Sequence, residues 1–118
     1  MKRLKVLFHI NELEKWDTAL GNIINLLKDV GEESADVVVI ANGPSVNAYG
    51  NDNKLSVMKG LSERGVRFLA CRNSLRKMCS SGDSCITEEN ISSFIETVPA
   101  GITAIIKIQS DGFAYVKP

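Results

Sequence analysis

The sequence predicts an α/β fold in three layers (α/β/α), with helices on both faces of a five-stranded, mainly parallel sheet. Short apolar runs rich in β-branched residues recur along the chain, and stretches with apolar residues at helical spacing separate them. Strands that alternate with helices form parallel sheets through right-handed crossovers. A length of 118 residues fits one domain. We therefore expect a single domain over residues 1–118.

The first unit is a strand followed by a long helix. The run Leu4–Ile10 is short and apolar, which is typical of a strand buried on both faces. Apolar residues then recur at helical spacing, with polar residues between them: Trp16, Leu20, Ile23, Leu27 and Val30. Gly31 is a natural helix stop.

The second strand is predicted at Asp36–Ala41, because four β-branched residues in a row favour an interior parallel strand. Residues 42–45 form a turn, and a short helix is expected at Val46–Tyr49. Apolar residues at helical spacing mark the next helix, which Gly65 ends: Leu55, Met58 and Leu61.

The third strand, Val66–Ala70, ends at Cys71. Asn73 or Ser74 is expected to cap a short helix at Leu75–Cys79. Residues 80–84 have the composition of a loop.

Two further strands complete the predicted sheet. Residues 87–90 are expected to form a single helical turn, and Phe94–Val98 the fourth strand. Pro99 fits the first turn of a helix that contains Ile102, Ile105 and Ile106. After a turn at residues 111–112, residues 113–116 form the last strand.

Charge and composition exclude several classes of function. Fourteen basic residues balance fourteen acidic ones, so no excess positive charge indicates a nucleic-acid or anionic-membrane partner. No apolar run approaches the ~18 residues of a membrane span. The N-terminus lacks the pattern of a signal peptide, so we expect a cytoplasmic protein. We expect its three cysteines to be free thiols.

The residue with the clearest chemical potential is Cys71, which lies where a buried strand meets a helix N-terminus. Backbone N–H groups and the helix dipole stabilise a thiolate at such a position, and Arg72 adds a positive charge. Ligands of open α/β sheets bind beyond the carboxyl ends of the strands. If the first three strands are neighbours, His9, Asn42 and Cys71 share one edge. The competing interpretation is a buried, unreactive cysteine.

The other candidate site residues follow the same strands. His9 is a candidate general base or partner for Cys71, but it lies between Phe8 and Ile10, which favours a core histidine with its hydrogen bonds satisfied. Residues 42–45 can present N–H groups to an anion, or form a turn without a function. We take Asn42, Gly43, Arg72 and Asn73 as the candidate ligand-binding residues.

Cys79 and Cys85 match no zinc-binding spacing, and His9 is the only histidine. The sequence therefore predicts no metal site, and it implies no cofactor. Either cysteine could resolve a disulfide or persulfide on Cys71. The favoured interpretation is two exposed loop cysteines without a role.

Several segments, in order, resemble the DsrE/DsrF-like proteins: residues 8–12, 15–16, 19–22, 39–44, 65–75, 98–102 and 112–118. The resemblance implies a five-stranded parallel sheet, and homotrimers or homohexamers. It also implies a reactive cysteine, because sulfur-relay members carry persulfide sulfur near the position of Cys71. The branch most similar to this chain is small, single-domain and largely of unknown function. Cys79 and Cys85 are not part of the shared pattern.

The sequence thus predicts a persulfide carrier or redox-reactive thiol protein with sulfurtransferase-like chemistry at Cys71. Arg72 would stabilise the thiolate, Asn42 would form a hydrogen bond, and His9 would relay a proton. A sulfur-relay protein would be the partner. One alternative is a non-enzymatic oligomeric module that binds an anion or a nucleotide. Another is a subunit that pairs only with itself or a related chain, through spare apolar residues such as Tyr49 or Phe113.

Overall fold

The computed structural model describes residues 3–80 and 85–118 and contains the predicted parallel sheet. Its strands are β1 (Leu4–Ile10), β2 (Ala35–Ala41), β3 (Arg67–Cys71), β4 (Ile95–Val98) and β5 (Ala114–Val116). Their spatial order is β4-β3-β2-β1-β5, and every pair is parallel. The first three strands are therefore neighbours, as the predicted shared edge requires.

Four α-helices connect these strands: α1 (Trp16–Val30), α2 (Asp52–Glu63), α3 (Arg72–Ser80) and α4 (Gly101–Ser110). A 3-10 segment at Gly43–Gly50 takes the place of the short helix expected at Val46–Tyr49. Within the described ranges, no helix is both long enough and apolar enough to cross a membrane.

The helices divide unequally between the two faces of the sheet. Helices α1, α2 and α3 connect strands that step in one direction across the sheet, and they pack on one face around Trp16 and Phe68. Helix α4 connects β4 back to β5 at the opposite edge. A right-handed crossover in the reverse direction lies on the opposite face, and there Ile105 packs on Leu7, Val38, Ile40 and Leu69. The structure confirms the predicted α/β/α class.

Two local predictions differ from the structure. Helix α3 begins at Arg72 rather than at Leu75, because it starts directly from the end of β3. Pro99 precedes α4 instead of lying in its first turn. The single helical turn predicted at residues 87–90 is present, because the Ile91 N–H donates to the Thr87 carbonyl at 2.9 Å and hydrogen bonds between Thr87 and Asn90 close the turn. Most of the loop expected at residues 80–84 lies outside the described residues.

Candidate functional site

The site lies at the carboxyl ends of β1, β2 and β3, on the face of the sheet that α4 covers. Side chains two residues apart on a strand share a face. Leu7, Ile40 and Leu69 lie under α4, so His9, Asn42 and Cys71 extend the same face beyond it. Backbone pairing continues to this edge, where the Asn42 N–H donates to the Ile10 carbonyl at 3.1 Å. The topology therefore brings the three predicted residues to one edge.

The sulfur of Cys71 lies at the N-termini of two helices. Cys71 immediately precedes α3, and the N–H of Gly101, the first residue of α4, donates to Cys71 Sγ at 3.3 Å. A β-carbon at Gly101 would lie 3.3 Å from the β-carbons of both Cys71 and Asn42. Since real β-carbons rarely approach so closely, only glycine lets α4 begin this near the sulfur.

These contacts favour the thiolate form of Cys71. Burial by itself raises the pKa of the Cys71 thiol. Hydrogen bonds to the sulfur from the Ser74 hydroxyl and from the N–H groups of Ser74, Gly101 and Asn73 lower it. The net pKa lies below the ordinary value for cysteine. The surroundings of Cys71 therefore favour the thiolate, which is the nucleophilic form of cysteine.

Ser74 is itself held in place by the turn after β2. The N–H of Gly43 donates to Ser74 Oγ at 2.7 Å, which leaves the hydroxyl proton free to point at the sulfur. Gly43 has a φ of +60°, and a β-carbon there would lie 3.3 Å from the Asn11 carbonyl. Gly43 thus orients Ser74, and its N–H is occupied by a protein group.

His9 and Asn42 form a second part of the site together with Tyr115. His9 Nε2 lies 2.9 Å from Asn42 Oδ1, and His9 Nδ1 lies 2.5 Å from the Tyr115 hydroxyl. Both ring nitrogens are thus occupied by groups other than Cys71. The Asn42 side chain lies between His9 and Cys71, as its approach to Gly101 shows.

A family model for DsrE/DsrF-like proteins matches residues 20–118. The chain belongs to the DsrE/DsrF-like family. A protein of unknown function from Methanobacterium thermoautotrophicum has a similar structure, with a TM-score of 0.82 and 29% sequence identity over 98% of this chain and 99% of that one. No curated protein matches the chain. Membership relates this DsrE-like protein to sulfur relay and assigns it no specific reaction.

Arg72 and Asn73 are the first two residues of α3 and differ in what their polar groups contact. The guanidinium of Arg72 forms an ion pair with Glu88, so its charge is directed to a carboxylate. The groups that lower the pKa of Cys71 are Ser74, Gly101 and Asn73. Asn73 acts there through its backbone N–H.

The expectation of three free thiols is wrong for two of them. Cys79 and Cys85 form a disulfide in this DsrE-like protein, and among the described residues Cys71 is the free cysteine. Cys79 also lines a cavity of about 390 Å³, with Arg72, Leu75, Arg76, Ile86, Thr87, Glu88 and Glu89. Helix α3 and residues 85–89, which the disulfide links to it, thus line this cavity.

Sequence reasoning missed three residues of the site. Ser74 was considered only as a helix cap, and Gly101 was not among the candidate site residues. Tyr115 lies on the short strand β5, 106 positions from its partner His9. The alternation of β5 could have placed Tyr115 on the face of Leu7, but only once β5 was known to pair with β1.

Proposed function

We propose that this protein carries sulfur as a persulfide on Cys71. The observation that carries the proposal is the set of hydrogen bonds to the Cys71 sulfur at the N-termini of α3 and α4. The thiolate is the form of cysteine that attacks sulfane sulfur. Ser74 and Gly101 supply fixed donors to this thiolate, so no water has to reorganise when it forms.

Loading is a transfer between sulfurs with no net oxidation. The Cys71 thiolate attacks the outer sulfur of a donor persulfide, R–S–SH. The Cys71–sulfur bond forms, the S–S bond of the donor breaks, and R–S⁻ leaves with the electron pair. The product, Cys71–S–SH, then loses its proton to solvent. Unloading is the same step in reverse, with an acceptor thiolate attacking the outer sulfur and Cys71 leaving as the thiolate.

Such a carrier requires a donor and an acceptor, which in this proposal are thiols of sulfur-relay proteins. Cys71 itself is only 5% exposed. A partner therefore has to present its sulfur at the strand edge formed by His9, Asn42 and Cys71.

The test is direct detection of the adduct. The protein is treated with inorganic polysulfide or a low-molecular-weight persulfide, and the mass of the peptide containing Cys71 is measured. We expect an increase of ~32 Da, one sulfur atom. A Cys71→Ser variant should show no adduct on this peptide. Absence of the adduct in the wild type, with every donor tried, contradicts the proposal.

A matched control excludes the disulfide as the source of signal. In a variant with Cys79→Ser and Cys85→Ser, Cys71 is the only cysteine left in the chain. We expect this variant to load sulfur as the wild type does. Loading that disappears in this variant would assign the reactive sulfur to the Cys79–Cys85 pair instead.

The cavity beside α3 favours a second candidate, a module that binds a small ligand. Two arginines and two glutamates line it, and Arg72 is already paired with Glu88. Because these charges balance, the cavity suits a small zwitterion with an apolar part better than a nucleotide. Under this alternative, Cys71 would alkylate like an unperturbed thiol, and its alkylation rate would be half-maximal at a pH of ~8.5.

A further inference from the structure

The contact between Asn42 and His9 fixes which way the Asn42 amide faces. Asn42 Oδ1 lies 2.9 Å from His9 Nε2. An amide oxygen carries no hydrogen, so His9 Nε2 must be the donor in this bond. The amide nitrogen of Asn42 therefore lies on the side away from His9. A β-carbon at Gly101 would lie 3.6 Å from Asn42 Nδ2 and 3.3 Å from Cys71 Cβ. The nitrogen thus faces the neighbourhood of Cys71.

Tyr115 determines the tautomer of His9 that this bond requires. A neutral imidazole with its proton on Nε2 has an acceptor at Nδ1. The Tyr115 hydroxyl lies 2.5 Å from Nδ1 and can donate to it. Tyr115 thereby favours the tautomer that donates to Asn42. Hydrogen bonds are thus donated from the Tyr115 hydroxyl to His9 Nδ1, and from His9 Nε2 to Asn42 Oδ1.

The Asn42 amide nitrogen has no acceptor among residues 3–80 and 85–118. The donors to the Cys71 sulfur, in contrast, come from α3 and α4. In a persulfide anion the negative charge lies on the outer sulfur, beyond the atom that these helical donors contact. A loaded Cys71 therefore needs a further donor beside it, and Asn42 Nδ2 is available.

We infer that Tyr115 and His9 are positioning residues that hold the Asn42 amide nitrogen toward the outer sulfur of a Cys71 persulfide. The inference rests on the proposed function. In it, the N–H groups of the two helices stabilise the empty thiolate, and Asn42 selectively stabilises the loaded form. His9 acts through Asn42 and does not take a proton from Cys71.

The first test measures the tautomer and needs no sulfur donor. His9 is the only histidine, so its imidazole signals in heteronuclear NMR need no assignment among residues. We expect a proton on Nε2 and a hydrogen-bonded Nδ1 in the wild type. In Tyr115→Phe, the Nδ1 resonance should move to that of a nitrogen without a hydrogen bond. A wild-type proton on Nδ1 would reverse the Asn42 amide and overturn the inference.

The second test compares the loaded and empty forms of Cys71. In Asn42→Ala the persulfide should decay about tenfold faster in the presence of an added thiol, whose thiolate takes the outer sulfur and releases Cys71 as the thiolate, since a hydrogen bond to a charged group is lost. In Tyr115→Phe it should decay about threefold faster, because Asn42 is left free to rotate. The pH at which alkylation of the empty thiol is half-maximal should stay at the wild-type value in both variants, because the helical donors to the sulfur remain.

A matched control distinguishes this effect from a general loss of stability. Tyr49, the other tyrosine, donates to the Leu69 carbonyl at 2.8 Å in the core. Tyr49→Phe should lower stability and leave the persulfide lifetime unchanged. If the wild type loads sulfur and Tyr115→Phe and Asn42→Ala decay at its rate, this inference alone is overturned. If the wild type never loads sulfur, the proposed function and the outer-sulfur role of Asn42 both fail. The NMR result then still reports on the hydrogen bonds from Tyr115 to His9 and from His9 to Asn42.

Discussion

At the scale of single residues, the chemistry of Cys71 depends on the balance between burial and hydrogen bonding. Burial disfavours the thiolate, and donors from Ser74, Gly101 and Asn73 outweigh it. The Ser74 hydroxyl is the one side-chain donor in this set. Its oxygen accepts a hydrogen bond from the Gly43 N–H at 2.7 Å, so its own proton is available to the sulfur. Replacing Ser74 therefore removes one defined contact to the sulfur.

We predict that the alkylation rate of Cys71 is half-maximal at a lower pH than that of an ordinary cysteine. In Ser74→Ala this midpoint should rise, and the rate at neutral pH should fall about tenfold, since a hydrogen bond to a charged group is lost. Iodoacetamide labelling followed by mass spectrometry across a pH series measures both. Ser62→Ala, which removes an exposed hydroxyl on α2, serves as the control. Equal profiles for wild type and Ser74→Ala would contradict the assignment.

The same pKa shift has a consequence for stability. Because the pKa of Cys71 is lower in the folded than in the unfolded chain, the thiolate stabilises the fold at high pH. This contribution is complete above the unfolded pKa and is lost as the pH falls through the folded pKa. Urea unfolding of wild type and Cys71→Ser should therefore diverge as the pH rises. A difference independent of pH would contradict the sign of the shift.

At the scale of elements, local sequence patterns determined most boundaries, and contacts distant in sequence determined the rest. The predicted bounds of β1 and α1 match the structure because their apolar periodicity is strong and Gly31 ends the helix. The start of α3 was misplaced because a cysteine is not a usual helix cap, and the sequence offered Asn73 and Ser74 instead. The Cys79–Cys85 pairing could not be deduced, since it depends on where the chain returns after α3.

Glycines inside helices give a prediction at this scale. Gly21 in α1 and Gly60 in α2 are exposed, and a β-carbon at either would meet nothing within 4 Å. Gly21→Ala and Gly60→Ala should each stabilise the protein by about 0.5–1 kcal/mol, because glycine loses more backbone entropy in a helix than alanine. Thermal or urea unfolding measures the gain.

Gly101 is the contrasting position within α4. The added β-carbon of Gly101→Ala would crowd Cys71 and Asn42 at 3.3 Å, and both belong to the sheet edge. We expect this variant to gain no stability and to alkylate more slowly at Cys71, because α4 must move away from the sulfur. A stability gain equal to that of Gly60→Ala, with an unchanged alkylation rate of Cys71, would contradict this expectation. It would show that the sheet edge accommodates the added β-carbon without strain.

At the scale of the whole molecule, the sheet order exposes an apolar surface beside the site. Within the described ranges, three helices cover one face of the sheet and α4 covers the other. Ile105 of α4 faces the sheet, whereas Ile102 and Ile106 are 62% and 58% exposed. They lie four residues apart and therefore on one side of the helix. Tyr49, considered as a surface contact on sequence grounds, is 2% exposed and belongs to the core.

We predict that this side of α4 mediates self-association into a trimer or hexamer. Burying one isoleucine side chain fully contributes about 1.5–3 kcal/mol, so two in each copy provide a substantial driving force. A formal net charge of zero adds little repulsion between copies. A variant with Ile102→Lys and Ile106→Lys should sediment as a monomer, since burying the two cations would cost more than the apolar contact returns. Val57→Lys, at a 43% exposed position on α2, should keep the wild-type assembly. A wild-type monomer, or a double variant that still assembles, would assign the exposed isoleucines no role in association.

Because Gly101 lies beside Ile102, assembly through α4 would also bring the edge of a second copy near Cys71. The monomeric variant should therefore retain the tautomer of His9 while its Cys71 alkylates faster.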